Sequence, residues 1–192
     1  MEIMDGNRND FGRNYEVKYP DSRLRLAKPT AQDKEQILKY KEEFCRNNEI
    51  LHGSGGLQNA GTFEAWLQRT ESMAIGKDIP ENRVPETTYL AFDDKGHLAG
   101  MVNIRHYLNA SLLRVSGHIG YSVRKSERRK GYGAEMLRLA LAEAGKLGIQ
   151  KVLITCDKEN IGSAKTIQKN GGVLENEISD NGRIMQRYWI TL

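Results

Sequence analysis

Polar and apolar residues alternate over Arg23-Leu24-Arg25-Leu26-Ala27, and this period of two predicts a first strand. Thr30 follows Pro29 as an N-cap, with Asp33 in the first turn of a helix whose inner stripe is Ile37, Leu38 and Phe44. Thr62 caps a second helix carrying Phe63, Trp66, Leu67 and Met73. After Pro80 and Pro85 the pattern turns to β. Residues 87–92 and 97–107 flank Asp93-Asp94-Lys95-Gly96, a hairpin signal. Residues 112–123 predict a long strand with Gly117 and Gly120 inside it, each marking a bulge or a close backbone approach. Over 133–147, Met136, Leu137, Ala140, Leu141, Ala144 and Leu147 share one helical face, and Gly148 stops the helix. A short strand over 151–155, a helix over 160–169 and two strands around Asp180-Asn181-Gly182 complete the chain. The order is that of a mixed α/β (α+β) fold: one twisted, mostly antiparallel central sheet flanked by helices, in a single domain over 23–192.

Residues 1–22 have no apolar period and read as a flexible N-terminal arm. With 192 residues the chain is long enough for one full core. No apolar run approaches the roughly 20 residues of a membrane-spanning helix, and the N-terminus lacks the apolar stretch of a signal peptide. A cytoplasmic protein is expected. The two cysteines, Cys45 and Cys156, are too far apart for a CxxC metal site, and no metal is expected. Cys156 follows an apolar run and reads as a buried thiol at a strand end, the lesser alternative being a place on the substrate pocket.

The net charge of +4 is mild, and much of it sits in Arg124-Lys125-Ser126-Glu127-Arg128-Arg129-Lys130. Such a run can bind nucleic acid, but its single compact stretch lacks interleaved aromatics. The residues on either side of it carry a more specific signal. A strand ends at Val123, the basic turn comes next, and Gly131-Tyr132-Gly133-Ala134 leads into a helix. The first N–H groups of a helix have no partners within it and can face an anion, helped by the helix dipole. The two glycines let the backbone close around phosphate oxygens. The segment is neither a Walker loop, which needs Gly-x-x-x-x-Gly-Lys-Ser/Thr, nor a dinucleotide fingerprint, because only Gly-x-Gly is present.

Arg128-Arg129-Lys130-Gly131-Tyr132-Gly133 resembles the acetyl-CoA signature of the GNAT N-acetyltransferases, Gln/Arg-x-x-Gly-x-Gly/Ala, and the element order over 23–192 is similar to theirs. Asn160-Ile161-Gly162-Ser163, Lys169 and Gly171 match a second stretch of the family. Gly117-His118-Ile119-Gly120-Tyr121-Ser122-Val123 resembles a bacterial branch of predicted acetyltransferases. The resemblance implies transfer of acetyl from acetyl-CoA to a primary amine by direct attack. It implies that the pantetheine arm lies between strands 112–123 and 151–155, with Val123 and Lys125 as main-chain partners and Gly120 leaving room for the acetyl end. The pyrophosphate is expected on Arg128, Arg129, Lys130, Gly131, Tyr132, Gly133, Ala134, Glu135 and Met136, and the arm against Asn160. Asn160 is equally a plain N-cap. Two positions depart from the family: Ile167 stands where many members carry the tyrosine that protonates the leaving thiolate, and Gly172 replaces an aromatic.

His118, on the central strand just before the cradle, is the first choice of base, since its ordinary pKa of about 6.5 suits proton acceptance; a histidine bonded within the sheet is the equal alternative. Glu49 and His52 are weaker choices. Tyr121 or Tyr132 is available to replace the missing acid. Arg105 and Tyr107 share a strand face and either meet substrate or form cross-strand pairs. The loss of the tyrosine at 167 also allows a non-catalytic regulator that binds acetyl-CoA or CoA. The acceptor, a small-molecule or peptide amine, is not identified by the sequence, nor is the oligomeric state, a homodimer being one option.

Overall fold

The structure, a computed structural model, describes residues 16–17 and 21–192. Most of the expected arm lies outside the described residues. Within it, β1 (Glu16–Val17) pairs antiparallel with β2 (Leu24–Ala27), setting Val17 opposite Leu26. Helices α1 (Lys34–Arg46) and α2 (Phe63–Ala74) follow, then β3 (Glu86–Asp93), β4 (Leu98–Arg105) and β5 (Ile119–Val123). The chain continues as α3 (Tyr132–Lys146), β6 (Lys151–Asp157), α4 (Ile161–Lys169), β7 (Val173–Asp180) and β8 (Arg183–Thr191).

The strands form two antiparallel sheets, of order β1-β2-β3-β4-β5 and β6-β8-β7. They meet where Gly117 bridges Ile154 and the His118 N–H donates to the Leu153 carbonyl at 2.7 Å. The single expected sheet is thus split, and the split lies beside the cleft at the end of β5.

The larger sheet is covered on both faces, which explains why β3 and β4 are buried almost throughout. Tyr89, Ala91, Val102 and Ile104 pack with Met136, Leu137, Ala140 and Ala144 of α3 and Ile167 of α4. Leu90, Phe92, Leu98 and Met101 on the other face pack with Ile37, Tyr40 and Phe44 of α1 and Phe63 and Trp66 of α2. Tyr40 takes the inner position expected for Leu38, which is exposed. Leu147, also expected inside, is exposed just past the end of α3.

The long strand expected over 112–123 is a correction. Only Ile119–Val123 is a strand; Leu112–Ser116 makes a single wide helical turn, closed by Gly117 N–H donating to Leu112 O at 2.7 Å. Asn109 caps this turn, its Oδ1 accepting from Leu112 N–H at 2.9 Å. Gly117 ends it at φ 64°, where a Cβ would lie 2.4 Å from the Leu153 carbonyl oxygen. The apolar residues of the turn imitate a strand pattern, while its cap and its left-handed glycine decide the conformation.

Candidate acetyl-CoA cleft and active site

Between the end of β5, the start of α3 and the outer face of α4 lies a cleft of about 690 Å³, a size that suits a cofactor. Its far wall is the loop after α1, through Glu49, Ile50 and His52.

Local chemistry builds the cradle. Arg128 is extended, Arg129 takes a left-handed φ of 65° and Gly131 one of 85°. For Arg129 that conformation costs roughly 1–2 kcal/mol. The two reversals curl the chain so that α3 opens on the cleft, its ladder starting with Glu135 N–H donating to Gly131 O at 3.2 Å. The end of α1 holds this loop. Glu43 accepts from Arg124 Nε at 2.7 Å and from Ser126 N–H at 2.9 Å. Lys125 Nζ donates to Asn47 Oδ1 at 2.9 Å. Glu49 accepts both arms of Arg128, whose Nε donates to the Val123 carbonyl at 2.9 Å. The Arg128 guanidinium holds the Glu49 carboxyl below its usual pKa range, so Glu49 is an ion-pair partner and a poor proton acceptor.

Of the expected cofactor residues, Val123, Arg128, Arg129, Gly131, Tyr132, Gly133, Ala134 and Asn160 line the cleft. Four do not. Lys125, expected as a main-chain partner, sends its side chain to Asn47, and Lys130 is turned to Glu127. Met136 is fully buried in the core. Glu135 accepts from Ser22 Oγ and from the N–H groups of Arg23 and Leu24, and so anchors β2. The helical period turns Glu135 and Met136 away from the opening that Gly133 faces. Asn160 caps α4, its Oδ1 accepting from Ser163 N–H at 3.0 Å, while also lining the cleft. Sequence reasoning missed Thr166 and Lys165 on the same wall. The signal was available: Lys165 and Lys169 are four apart and flank Thr166 on one face of α4.

Tyr121 lies at the inner end of the cleft with its hydroxyl 2.9 Å from Ser163 Oγ. Burial pushes its pKa up to about 12, so the phenol keeps its proton. Ile167 points into the core and offers nothing to the cleft. Cys156 is buried, and desolvation raises its pKa to about 11, leaving an inert thiol.

The structure separates the two histidines. His118 is buried in the seam between the sheets, and its Nδ1 accepts the Leu153 N–H at 3.0 Å. Burial, followed by the field of Arg105, lowers its pKa to about 4. It does not line the cleft. His52, an exposed residue, does. Its loop is tied to β5: Tyr40 Oη donates to the Ser122 carbonyl at 2.9 Å, and Ser122 Oγ donates to the His52 carbonyl at 2.6 Å. Partial desolvation, then Arg183 and Arg105, lower the His52 pKa and favour the neutral ring.

A basic loop running into a helix N-terminus, set beside a split between two antiparallel sheets, defines an acyl-CoA-binding acetyltransferase fold. The profile of the "Acetyltransferase (GNAT) domain" matches residues 23–173, and the chain belongs to the GNAT acetyltransferase family. The Bacillus subtilis (strain 168) protein YjdG, an uncharacterized N-acetyltransferase, is 30% identical over 73 residues, which span 38% of this chain and 40% of that one. The ribosomal-protein-S5-alanine acetyltransferase of Vibrio fischeri superimposes with a TM-score of 0.66 at 16% identity, over 93% of this chain and 97% of that one. A GNAT-family acetyltransferase from Bacillus anthracis gives 0.62 at 17%, over 92% and 98%. YncA of Salmonella typhimurium, solved with its cofactor acetyl-CoA, gives 0.63 at 12%, over 89% and 95%. These structural likenesses show the fold. The family uses acetyl-CoA as co-substrate. The residues here fit it: the start of α3 opens on the cleft and Arg128, Arg129, Lys165 and Lys169 line it, as a diphosphate requires. No helix among the described residues is long and apolar enough to cross a membrane.

Proposed function

We propose that this protein transfers the acetyl group of acetyl-CoA to a primary amine by direct attack, with no covalent enzyme intermediate. One observation carries the reading: a single cleft is lined both by the cradle residues Arg128, Arg129, Gly131, Tyr132, Gly133 and Ala134 and by Tyr121 and His52. Acetyl-CoA supplies the thioester carbonyl, whose C–S bond breaks as the C–N bond to the amine forms. The chain's residues hold both partners together, which supplies much of the acceleration. His52, its pKa lowered so that the ring is neutral near pH 7, accepts the proton that the substrate ammonium must lose before its nitrogen can attack. The positive field of Arg105 and Arg183 that favours a neutral His52 also favours a neutral amine. Tyr121 keeps its proton and donates it to the departing sulfur as negative charge builds there, the role the family gives to the tyrosine replaced by Ile167. His118, with its Nδ1 lone pair engaged in the sheet seam, is assigned a structural part.

The test is thiol release from acetyl-CoA over a panel of primary amines. Turnover with at least one amine is expected. Ligand binding without turnover across the panel would instead support a non-catalytic CoA-binding regulator.

A further inference from the structure

Arg105 ends β4 beside the split between the sheets. Its Nη1 donates to the Ser116 and Gly117 carbonyls at 3.2 and 3.0 Å. In register opposite it on β3 is buried Glu86, but that carboxylate is taken by Arg83 at 3.0 Å. Among the described residues, no carboxylate lies within ion-pair distance of Arg105. Withdrawing a guanidinium from water without a counter-ion is costly. Accordingly, burial lowers the Arg105 pKa, with Glu86 opposing and Arg83 adding to the effect.

The second arm of the guanidinium faces a particular place. A Cβ built on Gly120 would be 4.0 Å from Arg105 Nη2 and 3.4 Å from the Gly53 nitrogen. This is where the His52 loop meets β5, one residue from Tyr121. Arg183, the first residue of β8, adds a second positive field that reaches His52. Arg183 is only loosely held, its Nε 3.9 Å from Asp157 Oδ2. With Glu86 matched by Arg83 and Asp157 by Arg183, Arg105 is left as the excess positive charge.

We propose that Arg105 binds a carboxylate carried by the amine acceptor, in a field that the charge of Arg183 strengthens, so that the substrate is an amino acid, or a peptide-like amine with a carboxylate near its reacting nitrogen, and not a polyamine. This rests on the proposed acetyl transfer to an amine. A planar guanidinium with one arm spent on backbone carbonyls and no carboxylate partner among the described residues matches a carboxylate, whereas a polyamine would add positive charge where it is already in excess.

The experiment compares amino acids with their C-terminal amides and with spermidine, by thiol release. The acid is expected to exceed its amide in kcat/KM by roughly 10–100-fold, the reach of a charge-assisted hydrogen bond. Arg183→Gln, at an exposed site that tolerates the change, is expected to raise KM for the acids and to compress the acid-over-amide preference; Arg105→Lys is expected to compress it further. Amides or spermidine turned over as well as the acids, or an acid-over-amide preference unchanged in Arg183→Gln, would overturn the inference alone. No release from any amine while acetyl-CoA still raises the melting temperature would overturn the acetyl-transfer reading, and this inference with it.

Discussion

Arg128 opens the hexapeptide, yet its guanidinium is shared between Glu49 and the Val123 carbonyl. No local pattern announces that partnership, because Glu49 lies 79 residues away. The same limit applies to the histidines. His118 has the right strand and the right ordinary pKa for a base, but only the tertiary contact with Leu153 shows its lone pair engaged. We expect His52→Ala to lower turnover by about 10²–10⁴-fold near neutral pH, the usual reach of general base catalysis, with acetyl-CoA affinity little changed. His118→Ala is expected to keep most of its turnover and to lose stability. Steady-state kinetics and thermal melts of both variants check this, and the reverse pattern would return the base to His118. The depressed pKa of His118 has a further consequence. The folded ring resists protonation down to about pH 4, whereas the unfolded ring takes up a proton near 6.5. Its contribution is therefore full above about 6.5 and is lost as pH falls toward 4. Melting temperatures from neutral to acidic pH should fall more steeply in the wild type than in His118→Gln; parallel curves would contradict the burial argument.

The helices are legible as elements because their periodicity and caps are local: Thr62 caps α2 through Ala65 N–H at 3.1 Å, and Asn160 caps α4. Which face of α3 meets the ligand is less legible, because Glu135 and Met136 turn away only once β2 and the core are in place. Residues 112–123 resemble one long strand because a strand and a capped turn of apolar residues share one composition. Glycines offer the cleanest tests at this scale. A Cβ at Gly133 would meet nothing closer than Thr166 Oγ1 at 3.5 Å, and Gly133 is not in a left-handed conformation. Gly133→Ala should fold as well as the wild type and bind CoA, whereas Gly133→Glu should fold but lose CoA binding by charge and bulk between Val123 and Thr166. Calorimetric titration with CoA distinguishes them, and normal binding by Gly133→Glu would place the cradle elsewhere. At Gly53, a Cβ would lie 2.3 Å from the Gly120 carbonyl oxygen, on a left-handed backbone. Gly53→Ala should push the His52 loop off β5, reducing turnover while leaving the CoA-induced melting shift in place; unchanged turnover would detach that loop from the active site.

At the scale of the molecule, a sheet packed on both faces supplies the rigid frame, and the function sits where that frame is interrupted. The two sheets are joined at the Gly117–Ile154 bridge and His118, while the cradle and the acceptor side are assembled next to the gap between them. Both are basic, which suits the diphosphate and the carboxylate proposed for them. A ligand that binds only the folded state at about a thousand times its Kd stabilises that state by roughly 4 kcal/mol. For a domain of this size that corresponds to a rise in Tm on the order of 10 °C. The most direct measurement is the melting temperature with and without saturating CoA, run beside Gly133→Glu. The account predicts a rise of that order in the wild type and its loss in the variant. A wild type that melts at the same temperature with and without CoA would contradict it.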